Sequence, residues 1–274
     1  MPELPEVETV RRGLEPVMRG RTLASVDVLD ARLTLPEPPH AIEQRLTGAR
    51  VTSVGRRGKY LLLELDTGDT AIHHLRMTGS FTTASAGGEL HAPHLRGRYE
   101  LDDGMLVGYN DPRRFGTLHV FTSADAREYL DRRLGPEPFD PAWDPAALHA
   151  AARRRSAPIK AVLLDQKVVA GLGNIYVDEA LFLAGIRPSR RADALTRPQS
   201  VRLHEAIVDR LTVAIAAQGS TLRDYRTVAG EAGGMQEQFH VYGRGGEPCA
   251  RCGTVLTRTT IGGRGTVFCR RCQR

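Results

Sequence analysis

Along the first eighteen residues the apolar positions Val7, Val10, Leu14 and Val17 recur every three or four. That spacing lines one face of a helix over 5–18, with Pro5 suited to the first helical position and Glu6 and Glu8 near the positive end of the helix dipole. From about 22 to 122 the period shortens to that of strands. Lys59–Leu65, Thr70–Leu75, Tyr99–Leu101 and Met105–Tyr109 are short apolar runs separated by turn residues, and Asp103-Gly104 between two of them predicts a hairpin. Such strands close most simply as an antiparallel sandwich. Gly135-Pro136-Glu137-Pro138 through Pro145 breaks the pattern as a proline-rich linker. Helical spacing then returns. Ser156 is placed to cap a helix holding Ile159, Val162 and Leu163, and Ile175–Ala184 follows the turn Gly171-Leu172-Gly173-Asn174. Thr196 and Pro198 open a longer helix with Val201, Ile207, Leu211 and Ile215 inward, ending near Gly219, and Gly230–Gly234 follows as a flexible stretch. The chain is therefore an α+β protein, divided at 1–134 (antiparallel sandwich with a leading helix), 135–150 (linker), 151–238 (helices) and 239–274 (a cysteine-bearing module).

Hydrophobic residues make up 41% of the 274 positions, enough for ordinary cores. No apolar run approaches the ~20 residues of a membrane span. The start Met1-Pro2-Glu3-Leu4-Pro5-Glu6 lacks the basic flank and apolar stretch of a signal peptide, which predicts a soluble, cytoplasmic protein. The formal net charge is +6, and residues 241–274, with seven arginines against one glutamate, carry an equal net charge by themselves. A basic terminal module suits phosphates. The only four cysteines lie in the same stretch as C-x2-C-x16-C-x2-C: Cys249, Cys252, Cys269 and Cys272. Two tight pairs of thiolates match one structural zinc; two redox pairs are the alternative.

An initiator methionine before proline is normally removed, which would leave Pro2 with a free secondary amine. Such an α-amino group has a pKa near ~8, so part of it is unprotonated at neutral pH. It could attack a sugar C1′ to give an iminium, and that cation favours elimination of a phosphate. Glu3 beside it could protonate the opening sugar oxygen. On their own these two residues read first as a plain helix entry. Lysine is scarce: among 38 Lys and Arg, only Lys59, Lys160 and Lys167 are lysines. A tunable ammonium where arginine is the habit hints at proton chemistry.

Pro2-Glu3-Leu4-Pro5-Glu6-Val7-Glu8-Thr9 resembles the N-terminal signature of formamidopyrimidine-DNA glycosylases, and four further segments match in order. They are Arg57-Gly58-Lys59-Tyr60-Leu61, Asp111-Pro112-Arg113-Arg114-Phe115-Gly116, Gly173-Asn174-Ile175-Tyr176, and Val241-Tyr242-Gly243-Arg244 leading into the cysteines. The resemblance spans the chain. It implies an N-terminal β-sandwich with a leading helix, a helix–two-turns–helix domain and a β-hairpin zinc finger, with duplex DNA held in the cleft between them. The implied activity is excision of oxidised purines, 8-oxoguanine and formamidopyrimidines, followed by strand cleavage at the abasic site through β,δ-elimination. It also implies a monomer.

By the same resemblance Pro2 is the nucleophile and Glu3 the acid, Glu6 a second pocket carboxylate, and Lys59 a lysine near the damaged base. Met77, Arg113 and Phe115 would fill the gap left by the extruded nucleotide. Lys160 and Asn174 would contact DNA, Asn174 being equally suited to cap its helix. Arg264, on a hairpin between the cysteine pairs, would grip phosphates and assist the second elimination. His74, His94, Arg155 and Tyr242 are further phosphate-contact candidates. A base-capping loop would span Thr221–Phe239, with Met235 where an aromatic is often found. Two other readings stay open: an endonuclease VIII-like enzyme for oxidised pyrimidines, against which Leu4 argues, and a non-enzymatic zinc-ribbon DNA-binding protein, against which the Pro2-Glu3 terminus argues.

Overall fold

The computed structural model describes residues 2–222 and 225–274, and the chain separates into two compact units, Met1–Arg132 with Ala217–Gly234, and Arg133–Ala216 with Met235–Arg274.

In the first unit, helix α1 (Leu4–Met18) buries Val7, Val10 and Leu14 as their spacing predicts, together with Leu4 and Met18, while Val17 is only half-buried; it packs on strands β2 (Val51–Arg57) and β3 (Tyr60–Leu65). These join β4 (Asp69–His74) and β8 (Thr117–Thr122) in an antiparallel sheet ordered β2-β3-β4-β8. The second sheet, β1-β6-β7-β5, comprises β1 (Leu23–Val28), β6 (Leu95–Leu101), β7 (Leu106–Asn110) and β5 (Ser80–Ala84). Inward residues of both sheets and of α1 form one core that includes Val54, Leu61, Leu63, Phe81, Tyr99, Val107 and Leu118. The β6–β7 turn falls at Asp103-Gly104 as predicted, with Gly104 at φ +79°. Two helices escape the sequence pattern: α2 (Pro39–Leu46), which buries only Ile42 and Leu46, and α3 (Ser123–Asp131), capped by Thr122. Both are too short for a periodic stripe.

In the second unit, α4 (Pro145–Arg153) occupies the end of the predicted linker; Asp144 caps it by accepting the Ala147 N–H at 2.7 Å. Its proline sits in the first turn, where a missing N–H costs nothing, so proline here marks a helix start. Helix α5 (Ile159–Leu164) begins after Pro158, and Ser156 does not cap it. Between α5 and α6 (Asn174–Ala184) the chain makes two turns closed by Gln166, whose amide donates to the Leu164 and Leu172 carbonyls and accepts the Gly171 N–H. Helix α6 is buried almost all round and packs on α5 and α7 (Arg197–Ala216), whose entry Thr196 caps through the Gln199 N–H. The unit closes with the hairpin β9 (Thr257–Ile261) and β10 (Arg264–Phe268).

The predicted 221–239 loop is divided. Residues 217–234 belong to the first unit and Met235 to the second, where it is fully buried. Met235 is thus a core residue, placed inside by the short turn Met235–Gln238, and is not displayed on a capping loop.

Candidate functional site

Pro2 and Glu3 stand at the head of α1, both buried. The turn is held by Glu6, whose carboxylate accepts the Glu3 N–H at 2.9 Å through one oxygen. Its other oxygen accepts the backbone N–H and the hydroxyl of Ser220, at 2.7 and 3.0 Å. Glu6 therefore fastens the 217–234 segment to the helix start that carries Pro2 and Glu3. Tyr225 adds a hydroxyl bond to the Gln218 carbonyl at 3.2 Å, and Gly219, at φ +79°, lies so close to Glu6 that a Cβ would stand 2.9 Å from its Cγ. The expected removal of Met1 concerns a residue outside the described ones, as do Arg223 and Asp224 of the expected capping loop.

Lys59 lies in the two-residue β2–β3 turn, one position before the strand predicted to contain it, with Gly58 at φ +57° as the first turn residue. Its side chain is only 6% exposed. The turn is tied toward α1 because Arg56 donates to the Gly58 carbonyl at 3.0 Å and pairs with Glu8 at 3.2 Å. Burial alone would raise the Glu8 carboxyl, but Arg11, Arg12 and Arg56 together hold it below the usual range.

His74 ends β4 beside these groups. Burial, then the charges of Arg76 and Lys59, lower its pKa to about 3, so the ring is neutral. Its Nδ1 accepts the Arg76 N–H at 3.0 Å, which leaves the proton on Nε2 as a donor suited to a phosphate oxygen.

The next turn carries Met77, half-buried, and it is locked to the Arg113–Phe115 segment by Asp111. This carboxylate is 1% exposed. One oxygen accepts the Thr78 hydroxyl and the Arg113 N–H, the other the N–H groups of Phe115 and Gly116 at 2.9 and 2.8 Å. Arg113 and Phe115 project outward together, the guanidinium 4.8 Å from the ring centroid, with Phe115 52% exposed. Arg114, at φ +60°, turns away to pair with Asp30. Only glycine fits at 79 and 116, where a Cβ would collide with the Tyr109 hydroxyl. His94 is exposed beside this loop, its carbonyl accepting the Asp111 N–H. An exposed aromatic–arginine pair on a rigid buried base has the form of a wedge between bases.

In the second unit the four cysteine sulfurs lie within 4.8 Å of one another. The contacts run across the pairs, Cys252 to Cys269 at 3.5 Å and Cys249 to Cys272 at 4.0 Å. Tetrahedral zinc with Zn–S of about 2.3 Å needs sulfurs about 3.8 Å apart. The set therefore fits one structural zinc rather than two separate redox pairs. Arg264 is exposed at the start of β10, after the Gly262-Gly263 turn in which both residues have positive φ.

Lys160 is fully buried, its Nζ 2.7 Å from Asp178 and 3.1 Å from the Gly265 carbonyl. The lysine expected to contact DNA is enclosed in this structure. Asn174 is the first residue of α6, with Gly173 as cap, and its amide donates to the same Gly265 carbonyl at 3.0 Å. Arg155, half-buried, bonds the Ala151 carbonyl and faces Asp165 at 4.0 Å. Tyr242, half-buried, is placed by Glu179, which the sequence does not advertise. The buried Glu179 carboxylate accepts the N–H groups of His240, Val241 and Tyr242 at 2.8–2.9 Å and faces the His240 ring at 3.0 Å. Burial pulls its pKa up, but the His240 side chain and the three backbone donors outweigh it and the carboxyl stays ionised.

The formamidopyrimidine-DNA glycosylase N-terminal domain matches residues 1–118, the H2TH domain of the same enzymes 134–226, and the zinc finger found in FPG and IleRS 246–274. Formamidopyrimidine-DNA glycosylases of Geobacillus kaustophilus and Acidiphilium cryptum are 47% and 49% identical, over the whole of each chain. A Lactococcus lactis FPG mutant solved with Fapy-dG containing DNA superposes with TM-score 0.92 at 38% identity, covering 100% of both chains. The Lactococcus lactis protein with abasic-site DNA gives 0.91 at 38% over 99% of each. With the N-terminal Pro-Glu head, the two-turn helical motif and the four-cysteine hairpin all in place over the full length, this chain belongs to the formamidopyrimidine-DNA glycosylase family.

Proposed function

We infer that the protein is a bifunctional DNA glycosylase and abasic-site lyase that removes oxidised purines from duplex DNA. The observation that carries this is the helix head: Pro2 and Glu3, buried, with Glu6 fixing the Glu3 backbone and the 217–234 segment together. With Met1 removed, the Pro2 nitrogen attacks C1′ of the extruded nucleotide, the C1′–base bond breaks, and the base leaves with a proton. Glu3 supplies a proton to the sugar ring oxygen as the ring opens, giving a C1′ iminium on Pro2. The iminium acidifies C2′; loss of that proton expels the 3′ phosphate, and a second elimination expels the 5′ phosphate. Lys59, buried next to a neutral His74, serves as a proton-transferring ammonium near the base, and Arg264 holds phosphate from the finger. Met77, Arg113 and Phe115 occupy the space the nucleotide leaves; His94, Arg155 and Tyr242 are supporting phosphate contacts. The four cysteines hold a single zinc whose role is structural: it folds the finger and supplies no chemistry to the reaction.

None of the described helices is long and apolar enough to cross a membrane. We place the protein in the cytoplasm at the nucleoid, acting as a monomer, because its substrate is chromosomal duplex. A Lactococcus lactis relative has been solved with DNA containing an oxidised pyrimidine, which makes pyrimidine lesions the second substrate class to assay.

Borohydride reduction on a duplex with 8-oxoguanine opposite cytosine tests the reading. A covalent protein–DNA adduct should map by peptide mass to Pro2; an adduct mapping to a lysine, or none, would overturn the nucleophile assignment.

A further inference from the structure

We propose that Glu8 and Arg56 are positioning residues for Lys59, acting through the Gly58–Lys59 peptide plane of the β2–β3 turn. Arg57 and Tyr60 form the pair that closes this turn, with Gly58 and Lys59 as its two central residues. Gly58 has φ +57°, whereas the Lys59 φ is not positive. That sign pattern is a type II′ turn; turning the central peptide over gives type I′, which requires positive φ at Lys59 as well. Both forms join the same two strands, so the sandwich core does not choose between them. They differ in where the Gly58 carbonyl and the Lys59 side chain point. Lysine prefers negative φ, but this chain holds positive φ at Arg76, Arg114 and Gln218, so that preference is not decisive. The Arg56 guanidinium makes the choice: its Nη1 donates to the Gly58 carbonyl at 3.0 Å, a bond the flipped peptide would lose. Arg56 is in turn held by Glu8, Nε to Oε2 at 3.2 Å, with the two side chains only 11% and 12% exposed. Glu8 belongs to α1, the helix headed by Pro2 and Glu3, and also accepts Arg11 and Arg12 at 2.9 Å each. The contacts thus run from the helix that carries the nucleophile to the peptide that aims Lys59. An ammonium that donates and recovers a proton needs a fixed direction, since a misplacement of about 1 Å can cost about a hundredfold in rate. Lys59, 6% exposed, has little room to correct its aim by side-chain rotation.

This inference rests on the reading of Lys59 as a proton-transferring group, and its test separates the two. Zinc-loaded full-length wild type, Arg56→Met, Lys59→Met and the combined variant are compared for single-turnover excision of 8-oxoguanine from duplex. Equilibrium binding to a duplex carrying a tetrahydrofuran abasic analogue is measured alongside. Arg56→Met should slow excision about tenfold while Lys59 is present, and by less than about twofold once Lys59 is methionine, with binding changed by less than about twofold. Losses that multiply, or a loss of binding as large as that of excision, would make Arg56 an independent contact and overturn the proposal. The variant leaves Glu8 its pairs with Arg11 and Arg12, so no carboxylate is stranded. Should Arg56→Met still unfold, Glu8→Gln replaces it, with the same two outcomes. A further measurement needs no DNA. The chain has three lysines, so nitrogen-15 lysine labelling gives three backbone amide signals, and the residual dipolar coupling of the Lys59 N–H reports the peptide plane directly. A changed coupling in Arg56→Met, with those of Lys160 and Lys167 unchanged, supports the positioning role; an unchanged Lys59 coupling overturns it. Lys59→Met that excises as fast as wild type would count against the proton-transfer reading alone, leaving the coupling to decide the positioning.

Discussion

The Arg113–Phe115 loop of the first unit and the finger of the second both carry exposed side chains, and they are held in different ways. In the first unit Asp111 gathers three backbone N–H groups and a hydroxyl beneath Arg113 and Phe115, on a base formed by a large sandwich core. In the second, Glu179 gathers three N–H groups beneath Tyr242, but the apolar cluster at the finger is small and draws Phe182 from α6: with it are Val241, Leu256, Val267 and two of the cysteines. A buried carboxylate with every lone pair occupied is an adequate template for a loop where a core already exists. Where the core is too small to fold, a carboxylate is not sufficient and metal coordination must supply the remainder.

The comparison can be broken most directly at the metal. Cys249→Ser, or a strong chelator, should unfold the finger and abolish duplex binding while the aromatic near-UV signal of the sandwich persists, because zinc binding to such modules is worth about 10–16 kcal/mol of folding free energy. Retained binding in zinc-free protein would show that the finger folds without metal. Next in size is the pair of carboxylates. Glu179→Ala and Asp111→Ala each strand several buried donors and should lower unfolding stability by about 3 kcal/mol or more, read by denaturant titration. The two should differ in function: Asp111→Ala should depress excision from duplex, Glu179→Ala binding of any DNA. Equal effects on both assays would erase the distinction.

A smaller effect separates the sandwich from the finger by pH. Burial lowers His73 to about 3, and burial with nearby cations does the same to His74. The unfolded chain protonates both near ~6.5, so the stability they contribute is complete above that pH and is lost as pH falls toward 3, at up to about 1.4 kcal/mol per pH unit each. Thermal unfolding of His73→Phe against wild type should show roughly half of that acid slope removed; an unchanged slope would mean His73 is charged in the fold. The smallest effect expected is at Met77. Met77→Ala should slow excision of 8-oxoguanine from duplex by about tenfold or less, with little change in cleavage at a preformed abasic site. Equal losses on both substrates would indicate a packing defect in the turn that Asp111 holds.

Periodicity and turn chemistry alone located α1, the strands β3, β4, β6 and β7, the Asp103-Gly104 hairpin, α6 and α7, because each of those signals is local in the chain. The zinc set was equally legible, since the spacing of Cys249, Cys252, Cys269 and Cys272 is itself the geometric requirement. Motif resemblance pointed to Pro2, Lys59, Arg113, Phe115 and Arg264, but nothing local separates a cation on the surface from one in the interior. Lys160 and Arg264 both read as cations in the sequence, yet one is fully buried and the other exposed. What Asp111 and Glu179 hold was not legible, because most of the donors they collect are backbone N–H groups, which have no residue identity to read. Glu6 could be matched to a pocket carboxylate, but its bond to Ser220, 214 positions away, exists only after folding. The sequence determined which elements form and which metal chemistry is present. Tertiary structure decided which charges are buried, because desolvation and hydrogen-bond satisfaction depend on neighbours in space rather than along the chain.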